Sequence, residues 1–286
     1  MSGLIPRRHA LASLAGLSAV PVLRALGAAG TRSSPVASGA AEHRIPRGYA
    51  GVDPRTARRV PLWQQLRSEN PIFPGDPEFT FQTVATIPTS GYLLEQITSL
   101  GTHTGTHISA PAHFIEGAPF LSDLDESWTL MPLVVIDIRA RVAEEGGDFS
   151  VGVADLRHWE RRHDRIPHNG CVLLLCGFSS HYNPTIGPGP TDDYFDPAPG
   201  FTAGAVAWLF DRRDIRAVGA DAFGPDASSD TEFSATATAL AKGGITVENV
   251  GPRLARMRPH GDWVSINGAR PHFSGFQMGI TGFTVR

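Results

Sequence analysis

Short apolar runs broken by turn clusters set the rhythm of this chain from about residue 60 onward. Residues 79–87, 133–138, 172–175, 217–220, 246–250 and 263–266 read as strands, being brief, rich in Val, Ile and Leu, and bounded by turn formers. Helical spacing of apolar positions predicts helices over 153–162, 203–211 and 235–242, the last ended by Gly243-Gly244. The stretch 70–77, with Asn, Gly and three prolines, is a dense turn signal. Strands mixed with well-spaced helices predict an α/β or α+β domain. No period of 20 to 50 residues recurs, so a repeat architecture is not expected. Residues 31–60 are polar and arginine-dotted, and read as a loosely held lead-in.

The N-terminus follows a different pattern. Arg7-Arg8 precede an Ala/Leu-rich apolar stretch over 10–23, and small residues follow at 27–30 and 38–40. Charged start, short apolar middle and small-residue end are the parts of a secretory signal, and the paired arginines point to the twin-arginine route. Arg24 interrupts the run before it is long enough to span a bilayer. Export to the periplasm or beyond is the expectation, with a cytoplasmic leader as the alternative. Residues 1–40 are then signal and flexible lead-in, and 41–286 form one domain.

Composition narrows the function. Among 286 residues, 25 Lys+Arg against 28 Asp+Glu give a formal charge of −3, no footprint for nucleic acid or an anionic membrane. Hydrophobic residues at 41% supply a buried core, and 31 Gly with 23 Pro predict many turns and irregular loops. Cys171 and Cys176 lie in one apolar run that reads as a buried strand. Five residues of strand span roughly 16 Å and put the two thiols on opposite faces, so they cannot pair within the strand. No Gly-x-Ser-x-Gly elbow, Gly-x-Gly-x-x-Gly fingerprint or phosphate loop occurs, which disfavours a serine hydrolase and a nucleotide cofactor.

The segment richest in chemistry is His103-Thr-Gly105-Thr-His107-Ile-Ser109-Ala-Pro111-Ala-His113. Thr-Gly-Thr is a poor helical sequence, and a straight strand would hold His103 and His107 ~13 Å apart. Gly105 therefore predicts a tight bend bringing the two imidazoles together, in position to bind Zn²⁺ or a similar ion. His113, past the Pro111 turn, can stand close by as a proton-transfer group. By spacing alone, a metal site and a polar loop with incidental histidines both remain open.

The segment resembles the signature of the cyclase family, His-x-Gly-Thr-His-x-Asp-x-Pro-x-His, a family that includes bacterial kynurenine formamidase and isatin hydrolase. The likeness extends to Pro74-Gly75-Asp76-Pro77, Gly91-Tyr92, Val134 to Asp137, Val172 to Phe178, Ala217 to Asp221 and Ile245 to Val250, in order. The resemblance implies a metal-dependent hydrolase of amide, lactam or ester bonds in small, often aromatic molecules. It also implies a single α/β domain of swivelling β/β/α type, built around a curved mixed sheet with peripheral helices, and a homodimer or homotetramer. Carried over by position, His103 and His107 are metal ligands, His113 moves protons, and Glu248 belongs to the second ion of two-metal members.

Two positions depart from the family pattern. Ser109 stands where the family has its aspartate, and Thr236 stands where the second-site histidine falls. A serine hydroxyl is a weak neutral ligand, so the expectation is one divalent ion, Zn or Mn, rather than two. Glu248, Asp221 or Asp226 must then fold in to supply negative charge. Trp63, Phe178, Tyr182 and Phe273 are candidates for a substrate pocket, and His181 and His272 for further contacts. Competing readings are a metal-poor acid/base cyclase or dehydratase using the three histidines, and a non-catalytic small-molecule binding protein.

Overall fold

A strand buried on both faces is apolar at every position rather than at alternate ones. The runs at 133–136 and 171–175 have that character, and they lie side by side at the centre of a large sheet. In a computed structural model of the chain, residues 45–53, 55–73, 75–182 and 197–285 are described; the export signal expected over 1–40 lies outside them. The strands are β1 (Arg58–Pro61), β2 (Thr80–Ala85), β3 (Leu94–Ser99), β4 (His107–Ser109), β5 (Leu130–Asp137), β6 (Ser150–Val151), β7 (Cys171–Leu175), β8 (Gly200–Phe201), β9 (Ala217–Ala220), β10 (Ile245–Glu248), β11 (Asp262–Asn267), β12 (Gly275–Gln277) and β13 (Gly279–Thr284). The helices are α1 (Ile87–Ser90), α2 (Arg139–Glu145), α3 (Val153–His163), α4 (Ser179–Tyr182), α5 (Ala203–Arg213) and α6 (Ser234–Ala241).

Nine strands form one curled, half-barrel sheet in the order β1-β13-β11-β5-β7-β9-β10-β4-β12. The central four, β5, β7, β9 and β10, run parallel. Antiparallel strands extend the sheet on both sides. This is the mixed α/β architecture expected from the sequence. Alternation along the central strands divides two cores: Leu133, Val135, Cys171, Leu173 and Leu175 enter one, with residues of β1, β11 and β13. Val134, Ile136, Val172, Leu174 and Cys176 enter the other, beneath α3, α5 and α6. Cys171 and Cys176 are accordingly free, buried and on opposite faces.

The predicted helices and central strands are present, with ends shifted by a few residues. The lead-in expectation is corrected for its last part. Val60 of β1 is buried at the sheet edge, and the Tyr49 hydroxyl, itself buried, donates to the Leu133 carbonyl at 2.7 Å. The run at 79–87 is strand only over 80–85, and it pairs with β3 in a separate hairpin rather than in the large sheet. Among the described residues no helix is long and apolar enough to cross a membrane.

One glycine fixes how closely two central strands approach. A Cβ at Gly219 in β9 would lie 1.9 Å from the Val247 carbonyl oxygen in β10, a backbone atom that cannot swing away. We expect Gly219→Ala to cost ~3 kcal/mol or more, the upper end of overpacking penalties. Thermal melting reads this directly, because each kcal/mol moves Tm by about 2–4 °C in a domain of this size. An unchanged Tm would show that β9 and β10 can part more easily than this contact implies.

Candidate active site

Register places the chemistry. β4 lies between β10 and β12, with His107 opposite Glu248 and Gln277, and Ser109 opposite Thr246 and Gly275. Directly paired residues, and residues two apart on a strand, share a face. His107, Ser109, Thr246, Glu248, Gly275 and Gln277 therefore make a six-position grid on one side of the sheet. At Gly275 the grid has no side chain, and the ring of His103 occupies that room: a Cβ there would sit 2.3 Å from His103 Cε1. Gln277 Nε2 donates to the carbonyls of Gly101 and Thr104, both at 2.8 Å, and so ties down the turn that carries His103. The bend predicted at Gly105 is present, with φ of +72°.

Glu248 receives two hydroxyl donors on one oxygen. Ser109 Oγ donates to Oε1 at 3.0 Å and Thr246 Oγ1 donates to the same atom at 2.6 Å. The other oxygen, Oε2, lies 3.4 Å from Nε2 of the buried His107. His107 Nδ1–H donates to the Gly105 carbonyl at 2.8 Å, which directs the ring's other nitrogen at the carboxylate. Having donated to Glu248, Ser109 Oγ accepts from His103 Nδ1 at 3.2 Å. His103 Nε2 then accepts from Ser274 Oγ, also at 3.2 Å. His113, ending the 3₁₀ turn Pro111–His113, stacks on His103 with ring centroids 3.9 Å apart and planes inclined by 22°.

These neighbours divide the charges. Burial, then the proximity of His113 and His107, pushes His103 down to about 3. Burial likewise lowers His113. For Glu248 burial opposes ionisation, but His107 and the hydrogen bonds outweigh it and hold the carboxyl at about 2. Burial opposes charge on His107 too, and the Glu248 carboxylate beside it outweighs that, raising the imidazole. Asp76 is near enough to feel both groups, although burial raises it.

The structure thus brings together His103, His107, Ser109, His113 and Glu248. The other predicted residues fare differently. Trp63 and Phe273 are 45% and 47% exposed, with no ring contact to the histidines. Phe178 packs against the helix-side core, which lies on the same sheet face as the grid, where Thr246 pairs with Val218 of that core. Tyr182 is buried, and its hydroxyl stands where a Cβ on Gly105 would meet it at 3.1 Å, so it backs the histidine bend rather than lining an open pocket. His272 is exposed and pairs with Ser122; the side chain of His181 lies outside the described residues. Asp221 is spent on the Cys176 and Gly177 amides and the Ser179 hydroxyl. Asp226 caps α6 through the amides of Ala235 and Thr236, and also accepts from the Thr236 hydroxyl. Of the three carboxylates considered, only Glu248 folds in.

An aromatic wall was missed by the sequence reading. Phe114 lies 4.9 Å from His113, Phe233 lies 6.2 Å from both Phe114 and Phe73, and Phe73 lies 5.7 Å from Phe223. Phe114 follows the signature directly, and Phe73 stands in the turn carrying Asp76, so proximity to motif residues was the available signal. Phe233 sits at φ of +51°, an uncommon backbone for a bulky residue.

A model of the family described as "Putative cyclase" matches residues 52–227. The chain belongs to the cyclase family. A kynurenine formamidase from Bacillus cytotoxicus is 28% identical over 191 residues, covering 67% of this chain and 81% of the relative. Isatin hydrolase A from Labrenzia aggregata, bound to benzyl benzoate, superposes with a TM-score of 0.73 at 22% identity, covering 82% of this chain and 96% of that one. The isatin hydrolase A of Ralstonia solanacearum gives 0.69 at 24% identity, covering 80% and 92%. Another structure of the same fold is described as a potential metal-dependent hydrolase with cyclase activity, at a TM-score of 0.60 and 18% identity, covering 80% and 99%.

For a cyclase-family metal, the donor set fits one ion better than two. Among the described residues no three His, Cys, Asp or Glu side chains converge in ready coordination geometry. Two do face each other. His107 Nε2 is buried without a hydrogen-bond partner, 3.4 Å from Glu248 Oε2. Two donors each about 2.0–2.1 Å from a tetrahedral ion stand roughly 3.3–3.4 Å apart, so this pair matches one edge of such a site. His103 is the next imidazole, its ring 5.1 Å from that of His107.

The fit of His103 against Gly275 generates a pH test. In chelator-treated protein its depressed pKa keeps the ring neutral from about pH 8 to about pH 4, so its Cε1–H resonance in NMR should not move. In Gly275→Ala the added methyl displaces the ring, and the resonance should titrate near the ordinary value of about 6.5. A wild-type resonance that already titrates near neutrality would contradict the packing described here.

Proposed function

We propose that this cyclase-family chain is a metal-dependent hydrolase of an amide or cyclic amide bond in a small, aromatic molecule, with ester bonds as neighbouring chemistry. The observation that carries this reading is the buried His107 nitrogen aimed at an ionised Glu248, with His103 edge-on to it and His113 stacked on His103. Its relatives named kynurenine formamidase and isatin hydrolase favour C–N bonds in flat molecules. His107 and Glu248, with His103 adjoining, would hold one divalent ion, Zn or Mn. Such an ion supplies Lewis acidity and a bound water ionised near neutrality.

The protein's own side chains supply the rest. Ser109 and Thr246 orient the Glu248 carboxylate and keep it charged. His113, held neutral by burial and fixed in a stack with His103, is the group placed to move a proton to the departing nitrogen. The Phe114, Phe233, Phe73 and Phe223 wall offers a dry flank for a flat ring. A single ion is supported by the neutral Ser109 and by the commitment of Thr236 to Asp226. Export through the twin-arginine route remains part of this reading, on the strength of the Arg7-Arg8 leader.

One observation favours a second reading. The chain Ser274–His103–Ser109–Glu248 engages both nitrogens of His103 with hydroxyls, an arrangement suited to metal-poor acid/base chemistry. Assay with N-formylkynurenine and isatin separates the two. We expect hydrolysis that a chelator abolishes and Zn²⁺ or Mn²⁺ restores, and a loss of ~10²–10⁴ in kcat for His113→Ala. Turnover indifferent to chelation, yet lost in His113→Ala, would favour the second reading.

Self-association belongs to the same proposal. The β2–β3 hairpin is an isolated two-stranded sheet, a marginal unit in water, and it displays Phe81, Val84, Leu94 and Ile97 to solvent. A second copy covering this apolar surface accounts for it. Light scattering should give the mass of a dimer or tetramer, and Phe81→Asp with Ile97→Asp should shift it to one chain with far-UV dichroism retained. A monomeric wild type would rule this assembly out.

A further inference from the structure

The two departures from the family signature, Ser109 and Thr236, are not neighbours in sequence, and each gives its hydroxyl to a different carboxylate, Ser109 to Glu248 and Thr236 to Asp226. We infer that the ion's single anionic ligand has moved across the β4–β10 ladder from position 109 to Glu248, and that Ser109 is retained as the residue that positions it. This rests on the proposed hydrolase reading and assigns the carboxylate of that same site.

The geometry argues it in three steps. First, register makes the move short: Ser109 pairs with Thr246 and His107 with Glu248, so all four side chains share one face. Ser109 Oγ lies only 3.0 Å from Glu248 Oε1, one hydrogen bond from where an aspartate at 109 would place its charge. Second, the donors are asymmetric. Both hydroxyls, Ser109 and Thr246, address Oε1, leaving Oε2 to face His107 Nε2. Gly224 keeps that flank clear, since a Cβ there would stand 3.4 Å from Oε2.

Third, electrostatics makes the substitutions interdependent. With an aspartate at 109, two carboxylates would meet at hydrogen-bond distance, which is tolerable when two cations share the site but repulsive with one. A second cation would find no imidazole at position 236, where Thr236 gives its hydroxyl to Asp226. Serine at 109 converts that repulsion into a donated hydrogen bond. Loss of the second-site histidine and of the aspartate are then a single change in ion count.

The test is metal stoichiometry and affinity on the purified full-length chain. Elemental analysis counts bound ions, and competition against a chromophoric chelator measures Zn²⁺ and Mn²⁺ affinity; dichroism and thermal melting confirm folding. Wild type should hold about one ion. Glu248→Gln should weaken binding at least tenfold, and Ser109→Ala severalfold. The decisive variant is the double exchange Ser109→Asp with Glu248→Gln, which returns the charge to position 109 and should recover at least tenfold of what Glu248→Gln loses. Folded Glu248→Gln with wild-type affinity, or a double variant no better than Glu248→Gln, overturns the relocation while leaving the hydrolase reading intact. A wild type that takes up neither ion at any accessible concentration removes that reading, and the relocation with it.

Discussion

Everything at this site depends on the pairing register of one three-residue strand. β4 contributes only His107, Ile108 and Ser109, yet it is held on both sides, by β10 and by β12. A slip of one residue would turn His107 and Ser109 away and bring Ile108, which is fully buried in the opposite core, onto the polar face. The apolar side chain between two polar ones therefore acts as the lock. Burying Ile108 beneath the sheet and presenting His107 and Ser109 above it are the same event.

What holds β10 in place is the parallel centre of the sheet. β5, β7 and β9 are covered on both faces, and β10 joins them with Glu248 as its last residue. Beyond it the backbone turns at Asn249, with φ of +52°, and the Asn249 carbonyl accepts from Thr106 at 2.6 Å while its side chain donates to the Gly105 carbonyl. That carbonyl is the one that receives His107 Nδ1–H. The end of β10 thus fixes both the carboxylate and the tautomer of the imidazole opposite it, from one short stretch of chain.

Legibility in the sequence followed the strength of local signals. The continuous apolar runs of β5 and β7 and the capped α3, α5 and α6 were readable because periodicity and composition agree there. β4, β12 and β13 were not: β4 is three residues long with mixed polarity, and β13 is punctuated by Gly279 and Gly282. α2 escaped because its seven residues bury nothing and so carry no apolar stripe. At the site, the spacing of His103, Gly105 and His107 predicted a bend that the structure contains. The aromatic residues were misplaced because ring surroundings are set by tertiary position: Phe178 and Phe233 look alike in sequence, yet one packs against the helix-side core and the other joins Phe114 and Phe73 beside His113. Ser274, which bonds His103 across 171 positions, had no local signal at all.

The hydroxyl at position 109 also explains why this polar cluster can persist in the protein. An alanine there would leave Glu248 Oε1 with Thr246 alone and His103 Nδ1 without an acceptor, two buried polar groups weakened at once. An aspartate would add charge where one carboxylate already stands. Serine alone among these both accepts from His103 and donates to Glu248, so the donor count closes around His103 without a second anion. The residue that looks like a defect when read against the family signature is the one that lets His103, Glu248 and His107 occupy the same small volume.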